Sequence, residues 1–118
     1  MQIQHYKDLI VWQKAMDLAE QIYLLSHSFP REELYGLTSQ IRRAAVSVPS
    51  NIAEGHARQS TAEFKNFLSI ALGSLAEVDT QQILAQRLLY IASGHALRAE
   101  GLITEVRKML HTLAAKLG

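Results

Sequence analysis

The chain has 118 residues, 48% of them hydrophobic, with two prolines, six glycines and no cysteine. That is one helix-rich globular domain, and it excludes disulfides, thiolate metal sites and cysteine nucleophiles. Twelve Lys and Arg against eleven Asp and Glu leave a net charge of +1, well short of the basic excess that marks a dedicated nucleic-acid binder.

Met1 to Lys7 lack the basic start and apolar run of a secretory signal, and the absence of cysteine suits a reducing cytosol. No stretch approaches the roughly 18 uninterrupted apolar residues of a membrane span. A cytoplasmic protein is the expectation. Helix one is predicted from Asp8, as N-cap, to His27. Val11, Ala15, Leu18, Ile22 and Leu25 form one apolar stripe, and Leu9, Trp12, Met16, Ala19 and Tyr23 form a second beside it. So wide an arc asks for more than one neighbour. Ser28-Phe29-Pro30 breaks the helix, and Pro30 can open a short turn through Arg31-Glu32-Glu33.

Helix two is predicted over 37–57. Leu37, Ile41, Ala44, Val48 and Ile52 give an apolar face at three- and four-residue steps. The adjoining seam, Gln40, Arg43, Ser47, Ser50 and Glu54, is small and polar, with Asn51 beside it as a buried hydrogen-bonding residue. Two seams imply two neighbours. Pro49 withholds a donor from the Ala45 carbonyl, at a cost of roughly 3 kcal/mol in a helix interior, so a kink is expected. The alternative is two helices meeting at Pro49.

Ser60-Thr61-Ala62-Glu63 is a capping-box pattern opening helix three, predicted to run to Tyr90 and to be about 45 Å long. Phe64, Leu68, Ala71, Leu75, Val78, Gln82, Ala85 and Leu89 keep its stripe, interrupted only by Gln82. Gly73 is read as permitting close packing and Ser74 as filling space. Ser93-Gly94 forms the next break, with Ser93 a possible cap. Helix four, 96–117, carries Ala99, Ile103, Val106, Leu110, Leu113 and Leu117. Nothing alternates long enough to be a strand. Four amphipathic helices with short connections predict an all-α, antiparallel up-down-up-down four-helix bundle spanning 1–118.

The sequence offers no recognisable reaction centre. No glutamate has a histidine three residues on, so a di-iron carboxylate site is not indicated. The five histidines are dispersed, and no catalytic residue, metal ligand or cofactor is expected. Glu54-Gly55-His56 looks like an acid/base pair, but adjacent helical positions point apart.

Arg42, Arg43, Arg58 and Lys65 fall within 24 residues that contain only Glu54 and Glu63 as acids. One reading makes them a phosphate-contacting patch. The other pairs Arg43 with Glu54 across a helix–helix or subunit contact, since an arginine fork binds carboxylate bidentately. The second is favoured for Arg43 and Glu54; for Arg42 and Arg58 the two stand even. Trp12 is read as a packing anchor.

The run from Gln40 to Gly55, with Arg58, resembles the signature of a bacterial family of four-helix-bundle proteins encoded by intervening sequences of 23S rRNA genes. Further matches are Leu9-x-x-Trp12-x-x-Ala15, Phe29-Pro30-x-x-Glu33-x-Tyr35-Gly36-Leu37 and Glu63-Phe64-x-x-Phe67-Leu68-x-Ile70-Ala71-x-Gly73-Ser74-Leu75-x-Glu77. His95-Ala96-Leu97-Arg98 departs from the acidic start of the family's fourth helix. The chain is also similar to the accessory protein of diversity-generating retroelements, a pentamer that works with a reverse transcriptase and RNA. The resemblance implies a homopentameric ring, no enzymatic activity and an unsettled cellular role. Two functions follow as expectations. In one, the ring multiplies a modest basic patch into a surface for RNA, DNA or a ribonucleoprotein. In the other, it is a protein–protein scaffold with no nucleic-acid role.

Overall fold

The computed structural model describes residues 5–118. Its helices are α1 (Ile10–Ser26), α2 (Leu37–Ala57), α3 (Thr61–Arg87) and α4 (Leu97–Lys116), with 3-10 turns at Tyr6–Asp8 and Arg31–Glu33. No strand occurs among the described residues, and none of the helices is long and apolar enough to cross a membrane. Each helix packs on two others, α1 on α2 and α4, and α3 on α2 and α4, while the diagonal pairs stay apart. That is the square of an antiparallel four-helix bundle, 44 × 25 × 19 Å in extent.

One side of every helix supplies the core. Val11, Ala15, Leu18 and Ile22 of α1, Ile41, Val48 and Ile52 of α2, Leu68, Leu75 and Val78 of α3, and Ile103, Val106 and Leu110 of α4 are buried in one cluster. The second stripe of α1 is different. Leu9 and Ala19 are buried, Trp12 is partly buried, and Met16 and Tyr23 lie exposed, as does Leu24. Trp12 packs edge-on against Tyr6 at 5.4 Å between centroids.

The helix ends depart from expectation in three places. Asp8 is not the N-cap of α1: it belongs to the preceding 3-10 turn, Leu9 occupies the cap position without a side-chain bond, and Gln13 Nε2 reaches back to the Lys7 carbonyl at 2.8 Å. The chain turns before it enters the helix, so the polar side chain at position 8 arrives one residue early.

Helix α3 stops at Arg87, short of Tyr90. Leu89 takes a left-handed φ of 64°, its amide donates to Gln86 O, and the Tyr90 amide donates to Ala85 O. This pair of bonds is a Schellman closure with leucine at the position glycine normally fills. Leu89, expected in the core stripe, is consequently left exposed. At the start of α4, Ala96 and not Ser93 is the cap residue, and Gly94 provides the turn with φ of 83°.

The start of α3 works as read. Ser60 Oγ accepts from the Glu63 amide at 3.1 Å and opens α3. Helix α2 runs through Pro49 as one element, so it is not two helices meeting there. Gln82, the one polar residue in the α3 stripe, is fully buried and bonded to Asp79 and Gln86, which itself reaches Glu100 on α4. A buried amide needs such partners. Gly73 is exposed, and a Cβ there would meet nothing within 4 Å, so it does not serve close packing. Gly55 does: a Cβ would lie 2.7 Å from Phe67 Cβ and 3.0 Å from Phe64 Cδ1.

Candidate nucleic-acid interface

The small-polar seam of α2 divides. Ser47 and Asn51 are half-buried, and Ser47 faces α3 with its Oγ 2.8 Å from Ser74 Oγ. Asn51 Nδ2 donates to Ser47 O at 2.7 Å and to Ser47 Oγ at 2.8 Å. Ser74 therefore does more than fill space; it hydrogen-bonds the two helices together. Gln40, Arg43, Ser50 and Glu54 lie at the exposed margin. Glu54 pairs with Arg58 one helical turn later at 2.7 Å, and Arg43 donates to Ser39 Oγ at 3.5 Å, so the two are not partners within the chain.

The four basic residues also separate. Arg58 follows Arg42 by sixteen positions, about 24 Å along a helix axis. It sits at the α2–α3 turn over the Phe67 ring, held between Glu54 at 2.7 Å and Glu63 at 3.6 Å. Lys65 is half-buried on the first turns of α3. With two carboxylates beside it, that end of the bundle carries little excess charge.

The opposite end of α2 does. Arg42 is half-buried where the end of α1 passes α2. Its Nε donates to Ser26 Oγ at 2.7 Å, and its guanidinium lies over the Tyr23 ring, 4.8 Å from the centroid. Ser26 in turn donates to the Tyr23 carbonyl at 3.1 Å, which fixes the hydroxyl as the acceptor Arg42 needs. The planar fork is thus oriented by one hydrogen bond and one stacked face. None of the ion pairs among the described residues involves Arg31, Arg42 or Arg43.

Two clefts meet at Arg42. The larger, of ≈ 590 Å³, runs past Tyr23, Tyr35, Thr38, Arg43 and Val46. The smaller adds His27 and Arg31. Neither is lined by an aspartate or glutamate. The larger continues at Arg43 and Ser47 into a polar groove between α2 and α3, where Gln40, Glu77 and Gln81 face it and Gln81 Oε1 is buried without a partner.

The corner carrying these residues is braced by Glu33. Its Oε1 accepts from the Leu37 amide at 3.1 Å, capping α2 where Gly36 has no side chain to do so, and its Oε2 accepts from the Tyr90 hydroxyl at 2.9 Å. The hydrogen bond to Glu33, with desolvation and the negative charge of Glu33 and Glu32 behind it, raises the Tyr90 pKa above 10.0.

Reading the sequence missed Ser26, His27, Arg31 and Tyr35 as parts of this site. Tyr35 stands in the Phe29–Leu37 motif, outside both helical stripes, and that isolation was its signal. The others are joined to Arg42 only by the turn between α1 and α2.

These elements coincide with a known family pattern. The model for the 23S rRNA-intervening sequence protein matches residues 7–112. The chain belongs to that family. A solved member of the S23 ribosomal protein family from Bacteroides thetaiotaomicron, a protein with unknown function, is 29% identical. It superposes with a TM-score of 0.81 over 89% of this chain and 98% of its own. No match was found among curated proteins. The superposition agrees with the four-helix bundle, and the solved relative, of unknown function, leaves the activity open.

Proposed function

We propose that this chain is a non-enzymatic, homo-oligomeric module, assembled as a pentameric ring, that contacts nucleic acid or a ribonucleoprotein through the basic clefts of α1 and α2. The observation that carries the reading is Arg42: one edge bonded to Ser26, one face on Tyr23, no carboxylate in either cleft it borders. A guanidinium held this way is ready for an anion without first leaving a salt bridge. Arg43 lines the same cleft, and Arg31 adds charge in the next. Arg58 and Lys65 belong to a second, largely neutralised patch that a ring repeats around its circumference. Cyclic repetition turns one pair of cations per chain into a band of positive potential.

The ring rests on family resemblance, supported by the exposed apolar residues Met16 and Leu24 on α1, which have no cover within one chain. Binding is tested by titrating labelled RNA and DNA at two salt concentrations. Arg42→Ala with Arg43→Ala should weaken binding and flatten its salt dependence by roughly two phosphate contacts' worth per site. Arg58→Ala should change little. Affinity indifferent to salt and to the double substitution would leave the protein–protein scaffold as the better reading, recognised by a partner that stays bound after nuclease treatment.

A further inference from the structure

The larger cleft contains one group that phosphate binding does not use. Tyr35 is 93% exposed, the most exposed large hydrophobic side chain described. It does not hang from a loose loop. It lies between the Arg31–Glu33 turn and the first residue of α2, with the Gly36 amide bonded to Glu33 O at 2.9 Å and the Glu33 carboxylate tied to Leu37 and Tyr90. A flat ring in water, on a fixed corner, shares a cleft with two arginines that take part in none of the ion pairs among the described residues.

We propose that this cleft takes an unpaired nucleic-acid strand in preference to a duplex, with Tyr35 as the platform on which a base stacks. The proposal rests on the nucleic-acid reading above and specifies which form of nucleic acid the same site selects. In a duplex the base faces are already stacked on one another, and only phosphates and groove edges reach a protein. An exposed aromatic ring gains from a base only where that base is free of its stack. Arg42 and Arg43 then hold the flanking phosphates, a task indifferent to sequence. An apolar protein segment fits less well. Tyr23, Thr38, Ser39 and Ser47 bring hydroxyls, and both guanidiniums would lose water with no acceptor in return.

The test is fluorescence anisotropy with a short labelled RNA strand, the DNA strand of the same sequence, and each annealed to its complement. The single strands should bind more tightly than the duplexes. Tyr35→Ala should weaken single-strand binding about tenfold while leaving duplex affinity and the salt slope in place, and Tyr35→Phe should keep the wild-type value. Tyr35 is too exposed for its loss to unfold the chain, and a thermal melt of the variant checks this. Unchanged single-strand affinity in Tyr35→Ala, with a loss in the Arg42/Arg43 double variant, overturns the stacking proposal and keeps the nucleic-acid reading. No loss in the double variant overturns that reading itself. Equal losses for single strands and duplexes, or a lower solution mass for Tyr35→Ala, overturn the stacking proposal by making the ring a general or intersubunit contact.

Discussion

Leu89 and Glu33 show how much single side chains decide at the ends of this bundle. A left-handed φ brings the Cβ of an L-residue against its own backbone, at a cost of roughly 1–2 kcal/mol, and the Leu89 side chain recovers none of it because it stands in solvent. Leu89→Gly should therefore stabilise the fold by about 1 kcal/mol, read as a higher urea midpoint with an unchanged slope. A lower midpoint would show that Leu89 makes a contact outside the single chain. Neither residue was legible beforehand. Leu89 continues the three-and-four spacing of α3, and nothing local tells a leucine that it will close a Schellman turn. Glu33 reads as a solvated turn acid until Tyr90, 57 positions later, is brought to its other oxygen.

At the scale of the helices, α2 and α3 are the closely fitted pair. Ser47 and Ser74 bond across them, and Gly55 admits Phe67 and Phe64 to within ordinary reach of its backbone. Gly55→Ala should cost about 1–3 kcal/mol, because the Cβ would press on the Phe67 Cβ near its own backbone and not on a flexible tip. Gly73→Ala is the matched comparison. Its Cβ enters open space, so it should gain about 0.5–1 kcal/mol of helix propensity. Thermal melts of the two variants moving in the same direction would contradict this account. We further propose that the axis of α2 bends at Pro49, since the missing amide leaves the Ala45 carbonyl without its usual partner. The capping box at Ser60 was readable because its partners are three residues apart. Which of two glycines would be crowded was not, because crowding depends on what the opposite helix presents.

For the whole molecule, the telling feature is what one chain leaves uncovered. Met16 and Leu24 of α1 are exposed, outside the cleft that holds Tyr35. Light scattering should give a mass five times the 13.2 kDa of one chain, and any copurifying nucleic acid would raise the ultraviolet absorbance of that peak. A mass of 13.2 kDa would remove the ring from the proposed function.

The bundle, its four helices and most of its core were contained in the order of residues, because amphipathic periodicity is a local property that repeats within each helix. Deep positions such as Leu18, Val48, Val78 and Val106 could be named from spacing alone. The functional surface could not. Arg42 and Arg58 look like neighbours in a basic stretch, yet the rise of the helix carries them to opposite ends, one to a stacked and acid-free cleft and the other between two carboxylates. Only the tertiary structure set Ser26 and Tyr23 against Arg42, since electrostatic environment is fixed by distance through space, and spacing along the chain constrains that distance only within one helix.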